Sequence, residues 1–198
     1  RIAEIITTYK KKNYKVIVIS SAMSGVTNEL VKKSKEISEN FSNDEYDVLV
    51  SSGEQVACSL IAGRLVHKGF KSRSWLAWQI PILTRGMHKN SRINQINKNK
   101  ILKYLKGGGI PIIAGFQGVN EDQRITTIGR GGSDASAIMI AKFFKAKKCV
   151  IYTDVEGVFT TDPNKLNKAK KIKVISYEEM LEMASLGAKV MQPVSIQN

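Results

Sequence analysis

Val16-Ile17-Val18-Ile19-Ser20-Ser21-Ala22-Met23-Ser24-Gly25-Val26-Thr27 decides the fold class. Four consecutive β-branched aliphatic residues without polar alternation predict a short strand covered on both faces, the habit of parallel sheets. Two serines end the run, residues 22–25 form a turn, and a helix follows from Thr27 with Leu30, Val31 and Ile37 on one face. Strand, polar turn and helix make half of a βαβ unit.

The pattern recurs on either side. Asp47-Val48-Leu49-Val50 reads as a second strand leading into Ser51-Ser52-Gly53-Glu54, with a helix running to about His67 and ending at Gly69. Residues 71–76 predict another strand, and 85–92 is polar and irregular. Ile101, Leu102 and Leu105 mark a helix stopped by three glycines, Gly107 to Gly109. Ile110-Pro111-Ile112-Ile113-Ala114 is a buried strand from which Gly115-Phe116-Gln117-Gly118 turns away. Short strands follow at 124–127 and 150–153, and Ser176-Tyr177-Glu178-Glu179 has the spacing of a capping box. Strands and helices alternate throughout, so the prediction is an α/β fold: a mostly parallel sheet with helices on both faces. No internal repeat or domain boundary interrupts residues 1–198.

Composition narrows the class. The chain is 42% hydrophobic and 24% charged, the balance of a globular domain, and no apolar run approaches the roughly 18 residues of a membrane span. The net charge of +14 raises the question of nucleic acid. The lysines are spread over polar helix faces and loops, with no binding motif or aromatic stacking pattern beside them, so solvated faces are the preferred reading. Cys58 and Cys149 are read as buried free thiols in a reducing compartment, the cytoplasm. With His67 and His88 the only histidines, and no ligand spacing for zinc, no metal site is assigned.

Ligands of parallel sheets gather at the carboxyl ends of strands. Polar clusters lie just past predicted strand ends at 20–27, 51–54, 115–118 and 153–163. A fifth cluster is the loop Gly129-Arg130-Gly131-Gly132-Ser133-Asp134, which opens an apolar helix. Such a helix start attracts phosphate or carboxylate. Arg130 suits a two-pronged grip on a carboxylate, Glu54 suits an ammonium, and Asp134 and Asp154 suit Mg2+ or a sugar hydroxyl. Each also has a plainer reading. Ser21, Thr27, Ser133 or Asp134 could cap helices, Glu54 could offset its own helix dipole, 160–163 could be only a turn, and Lys189 a solvated lysine. Gly-x-Ser-x-Gly, the P-loop and Gly-x-Gly-x-x-Gly are all absent, so phosphate chemistry here would use another loop design.

Taken in order, six segments resemble the catalytic domain of the aspartate kinases, in the amino acid kinase superfamily. They are 18–28 (Val-Ile-Ser-Ser-Ala-Met-Ser-Gly-Val-Thr-Asn), Ser51-Ser52-Gly53-Glu54, Gly115-Phe116-Gln117-Gly118, 127–134 (Thr-Ile-Gly-Arg-Gly-Gly-Ser-Asp), 152–163 and Gly187-Ala188-Lys189-Val190-Met191. The resemblance implies a three-layer α/β/α sandwich around a mainly parallel central sheet. It implies transfer of the ATP γ-phosphoryl group, with Mg2+, to the side-chain carboxylate of L-aspartate, the entry to lysine, threonine and methionine synthesis. Carried over, Arg130 would hold the α-carboxylate and Glu54 the ammonium, with Gly131, Gly132 and Ser133 in the same loop. Ser21 and Thr27 would lie beside the reacting side chain, and Asp134 would orient the catalytic groups. Thr153, Asp154, Phe159, Lys189 and Val190 would meet ATP. A homo-oligomer is implied for the intact protein, with small-molecule substrates and neither nucleic acid nor membrane as partners.

Departures from the family pattern shape further expectations. The family's first strand, with its Lys-Phe-Gly-Gly loop, and its regulatory ACT domains have no counterpart in residues 1–198, so a fragment of weak activity is expected. Phe159 stands where many relatives have Tyr, and Asn164 where some have Arg. Competing readings are a nucleotide-binding partner subunit and a superfamily member acting on another substrate.

Overall fold

Every residue of Ile110–Ala114 is buried, as an uninterrupted apolar run requires, and this strand is the middle of the molecule. The computed structural model describes residues 1–129, 131–153, 157–161 and 165–185. Along the chain the elements are α1 (Ile2–Lys11), β1 (Val18–Ser20), α2 (Val26–Ile37), α3 (Asn43–His67), β2 (Ser72–Trp75), β3 (Ile82–Arg85), β4 (Arg92–Ile96), α4 (Asn99–Lys106), β5 (Ile110–Ala114), β6 (Gln117–Val119), β7 (Ile125–Thr127), α5 (Gly132–Phe143) and α6 (Tyr177–Ser185).

Strands β1, β5 and β2 form a parallel sheet in that order. Successive side chains of β5 point to opposite faces, and the two faces meet different helices. Ile110, Ile112 and Ala114 pack with Ala3 and Ile6 of α1 and with Cys58, Ala62 and Leu65 of α3. Ile113 packs with Ile101 and Leu105 of α4 and with Ala135 and Ile140 of α5. Helix, sheet and helix make the three layers expected. A second, four-stranded sheet has the order β4-β3-β6-β7. Its β3–β6 pair is parallel, while β3–β4 and β6–β7 are antiparallel. Its Ile82, Ile93 and Ile96 extend the same core as Ile113.

Two predicted strands are corrected, and two unassigned strands, β3 and β4, are added. Residues 47–50 are not a strand: α3 runs unbroken through them. Its buried positions, Asp47, Val50, Ser51, Gly53, Glu54, Ala57, Cys58, Ala62 and Leu65, cluster on one side of the helix. The signal was hidden because this inward face is built of small and polar residues, while Val48, Val56, Leu60 and Val66 are exposed. The stretch 86–91 is irregular, as read, and joins β3 and β4, an antiparallel pair with one bulge that the sequence reading did not assign. Residues 150–153 form no strand, and Cys149 is exposed rather than buried.

Other boundaries hold. Gly107 closes α4, and Gly69 follows α3 at φ +80°. Ser176 and Glu179 exchange the two hydrogen bonds of a capping box: the Glu179 N–H donates to Ser176 Oγ (3.1 Å) and the Ser176 N–H to Glu179 Oε2 (2.9 Å).

Candidate active site

Close approach of backbones assembles the site, and two glycines permit it. A Cβ on Gly53 would lie 3.0 Å from Ala22 Cβ and 3.2 Å from Val26 Cγ1, so α3 presses directly on the loop after β1. A Cβ on Gly115 would lie 3.0 Å from the Ser20 carbonyl oxygen and 3.3 Å from Ser133 Cα. The carboxyl ends of β1 and β5 therefore meet both α3 and the start of α5. The Phe116 N–H donates to Ser136 Oγ (3.0 Å), and that hydroxyl donates to the Gly132 carbonyl (2.7 Å), which locks α5 to the end of β5.

Glu54 is brought to this junction by Gly53. It is 3% exposed. Its Oε1 accepts the Ala22 N–H at 3.1 Å, while Oε2 is buried with no hydrogen-bond partner among the described residues. Burial pushes its carboxyl up to about 7, and the Ala22 N–H offsets only part of that shift. A buried carboxylate oxygen without a donor is costly and calls for a cation or a proton. Asp134 lies in the first turn of α5, half-buried, and burial raises its carboxyl as well. Gly131 caps α5 in the left-handed conformation, at φ +71°, with no side-chain cap, so the sequence's N-cap alternative for Ser133 and Asp134 does not hold. Glu54 lies in the middle of its helix, so the dipole alternative does not apply to it either.

Thr27 is half-buried in the first turn of α2, and Ser21 is exposed in the loop ahead of it; no side chain caps α2, whose N-cap is Gly25. Gly131, Gly132 and Ser133 stand at the α5 start as expected. Asp134 is close enough to Cys149 that its charge, after burial, helps raise that thiol. Thr153 is exposed. Phe159 is half-buried and pairs antiparallel with Lys171. Its neighbour Val158 packs with Met180 and Ala184 of α6 in a separate small cluster. Arg130, Asp154, Lys189 and Val190 lie outside the described residues. Among the described residues no three His, Cys, Asp or Glu side chains gather.

Sequence reading passed over Asp47. It is fully buried on α3 and accepts from His88 Nδ1 (2.7 Å), the Lys89 N–H (3.0 Å), the Thr127 N–H (3.1 Å) and the Thr127 hydroxyl (2.6 Å). The available signal was its spacing: Asp47 and Glu54 are seven residues apart, two turns along one helix face. Volume would not have found the site. An open cavity of about 720 Å³ lies elsewhere, between β2 and α4, lined by Arg73, Trp75, Trp78 and Lys100 among others. Two of its cations already serve the fold: Lys100 donates to the Gln79 carbonyl, and Arg73 lies over the Trp75 ring.

A three-layer α/β/α domain has a buried carboxylate against the loop after β1 and a glycine-rich helix start packed against the end of β5, the strand end at which α/β sheets bind small molecules. The model of the amino acid kinase family matches residues 1–197, and the chain belongs to that family. It is 52% identical over 200 residues to an aspartokinase of Rickettsia felis, which covers 100% of this chain and 50% of the relative. It is 51% identical to an aspartokinase of Geobacillus stearothermophilus, over 94% of this chain and 46% of the relative. The chain thus spans about half the length of these curated relatives. Among solved structures, E. coli aspartokinase III in complex with aspartate and ADP matches with TM-score 0.86 and 25% identity over 98% of this chain and 54% of the other. Aspartate kinase from Synechocystis matches with TM-score 0.84 and 36% identity, over 99% and 32%. No helix among the described residues is long and apolar enough to cross a membrane.

Proposed function

We propose that this chain is the catalytic part of an aspartate kinase, which moves the γ-phosphoryl group of ATP onto the side-chain carboxylate of L-aspartate. A carboxylate oxygen attacks the γ-phosphorus, the bond to the ADP oxygen breaks, and 4-phospho-L-aspartate and ADP form without a net proton transfer. The acceptor is already a nucleophile, so the residues need to position two anions and neutralise their repulsion.

The observation that carries this reading is Glu54. Its buried oxygen, without a partner among the described residues and beside the loop that joins β1 to α2, suits the ammonium of a free amino acid. In this reading Arg130 grips the α-carboxylate, and Ser21 and Thr27 flank the side chain. The start of α5, Gly131 to Ser133, offers backbone N–H groups to developing negative charge, and Asp134 orients the reacting groups. Thr153, Asp154, Phe159, Lys189 and Val190 hold the nucleotide. Mg2+ neutralises the phosphates when bound. Asp134, a half-buried hard oxygen donor at the α5 start, fits the habit of Mg2+ of taking one or two carboxylates along with phosphate oxygens. The setting is the cytoplasm, in a homo-oligomer, at the entry to lysine, threonine and methionine synthesis.

The test is hydroxylamine trapping of an acyl phosphate by the protein as its gene encodes it. Trapping that needs both ATP and L-aspartate is expected. Trapping with glutamate or acetylglutamate in place of aspartate would overturn the substrate assignment. Arg130→Ala should raise the aspartate requirement steeply.

A further inference from the structure

We propose that Asp47, together with His88, is a positioning residue that sets the gap between Glu54 and the start of α5, and thereby selects the amino-acid substrate; this rests on the reading of Glu54 given above. Asp47 shares a helix face with Glu54, so whatever grips Asp47 fixes Glu54 along and around the helix axis. Three grips come from outside the helix. Thr127 donates twice, from its N–H (3.1 Å) and its hydroxyl (2.6 Å). Thr127 ends β7, two residues before Gly129 and five before the first residue of α5. Lys89 donates its N–H to both carboxylate oxygens (3.1 and 3.0 Å), and His88 Nδ1 closes on Oδ2 at 2.7 Å.

The turn that carries His88 and Lys89 is itself seated on the segment leading into α5. The Ser91 N–H donates to the Thr127 carbonyl (2.9 Å), and a Cβ on Gly129 would lie 3.2 Å from the Lys89 carbonyl oxygen. One carboxylate therefore joins the helix that presents Glu54 to both pieces of chain that deliver α5. Apolar packing at this joint would tolerate sliding. Hydrogen bonds at 2.6–3.1 Å with fixed directions do not. A bound amino acid must meet Glu54 and the α5 start at once, so a slip of the joint acts on its binding before it acts on the nucleotide.

The test uses Thr127→Val and Thr127→Ser, His88→Ala and His88→Asn, Asp47→Asn, and Glu54→Gln, each in the protein as its gene encodes it. Steady-state kinetics, calorimetric titration of L-aspartate and thermal melting are measured on all. Thr127→Val and His88→Ala are expected to raise the aspartate KM and Kd at least tenfold while kcat and the ATP KM stay within threefold. Thr127→Ser and His88→Asn, which restore a hydroxyl or a donor at the Nδ1 position, should return to within threefold of the native protein. Among the variants at this joint Asp47→Asn should be the most severe, though milder for aspartate binding than Glu54→Gln; should it fail to fold, the Thr127 and His88 pairs decide alone. Aspartate and ATP constants worsening in parallel with a fall in melting temperature, or aspartate binding unmoved in Thr127→Val and His88→Ala, would overturn the proposal. Glu54→Gln separates the two failures. If it too leaves aspartate binding unmoved, the substrate reading falls. If it alone weakens binding, that reading stands and Asp47 is a strut of the fold.

Discussion

Asp47 and Glu54 sit two turns apart on one face of α3, both acidic and both buried, and they are satisfied to opposite degrees. Asp47 has a donor for each oxygen, from three residues on two other parts of the chain. Glu54 has one backbone N–H and, among the described residues, an oxygen with no partner. A buried carboxylate with a full set of donors holds a fold together. One with an open oxygen costs stability, and the cost is recovered when a cation arrives. The contrast is what the proposed ligand end of the helix rests on, without reference to any cavity.

The largest expected effect tests Asp47. Asp47→Ala strips four donor groups of their acceptor and should cost about 3–5 kcal/mol in urea unfolding, the range for breaking a buried charge from its partners. In the same assay at pH 8, Glu54→Gln should be neutral or stabilising, because it removes a buried charge that has little to hold it. Equal losses in the two variants would erase the comparison.

Ligand affinity should reverse the ranking of these two positions. Glu54→Gln should weaken aspartate binding by about 2–4 kcal/mol, the penalty for removing one partner of a buried charge pair, read by calorimetric titration.

The pH dependence follows with a definite sign. The Glu54 carboxyl is raised from 4.5 to about 7, so the folded state holds a proton that the unfolded state has released. Its contribution to ligand-free stability is therefore full below pH 4.5 and declines as pH rises to about 7. Aspartate affinity should climb over the same window, because the ammonium selects the ionised carboxylate. Glu54→Gln should remove this dependence, and a native affinity flat from pH 5 to 7 would count against the ammonium role.

The smallest expected effect concerns the α5 start. A Cβ on Gly132 would lie 2.5 Å from the Phe116 ring and 3.2 Å from Ile128 Cβ, so Gly132→Ala should cost about 1–3 kcal/mol in melting experiments, by overpacking.

Legibility in the sequence followed the kind of pattern each element carries. β5 and the capping box of α6 were plain, because an uninterrupted apolar run and a Ser-x-x-Glu spacing are local signals. The 47–50 segment misled, because the apolar triplet 48–50 looks like a strand when the helix around it buries serine, glycine and alanine. Ser51 to Glu54 was picked out as a polar cluster past a strand end, whereas it lies within a helix. The 85–92 turn looked like featureless loop, since His88 and Lys89 earn their role only from a carboxylate 41 and 42 residues away.

The order of strands and helices, the three-layer class, the glycine-rich helix start and the family all came from residue type and short-range spacing, because backbone preference and hydrophobic periodicity act over a few residues. Which carboxylate is fully paired and which is left open was decided only in three dimensions. The groups that settle it, Ala22 for Glu54 and His88, Lys89 and Thr127 for Asp47, are 32 to 80 residues distant and meet only when the two sheets and α3 close on one another.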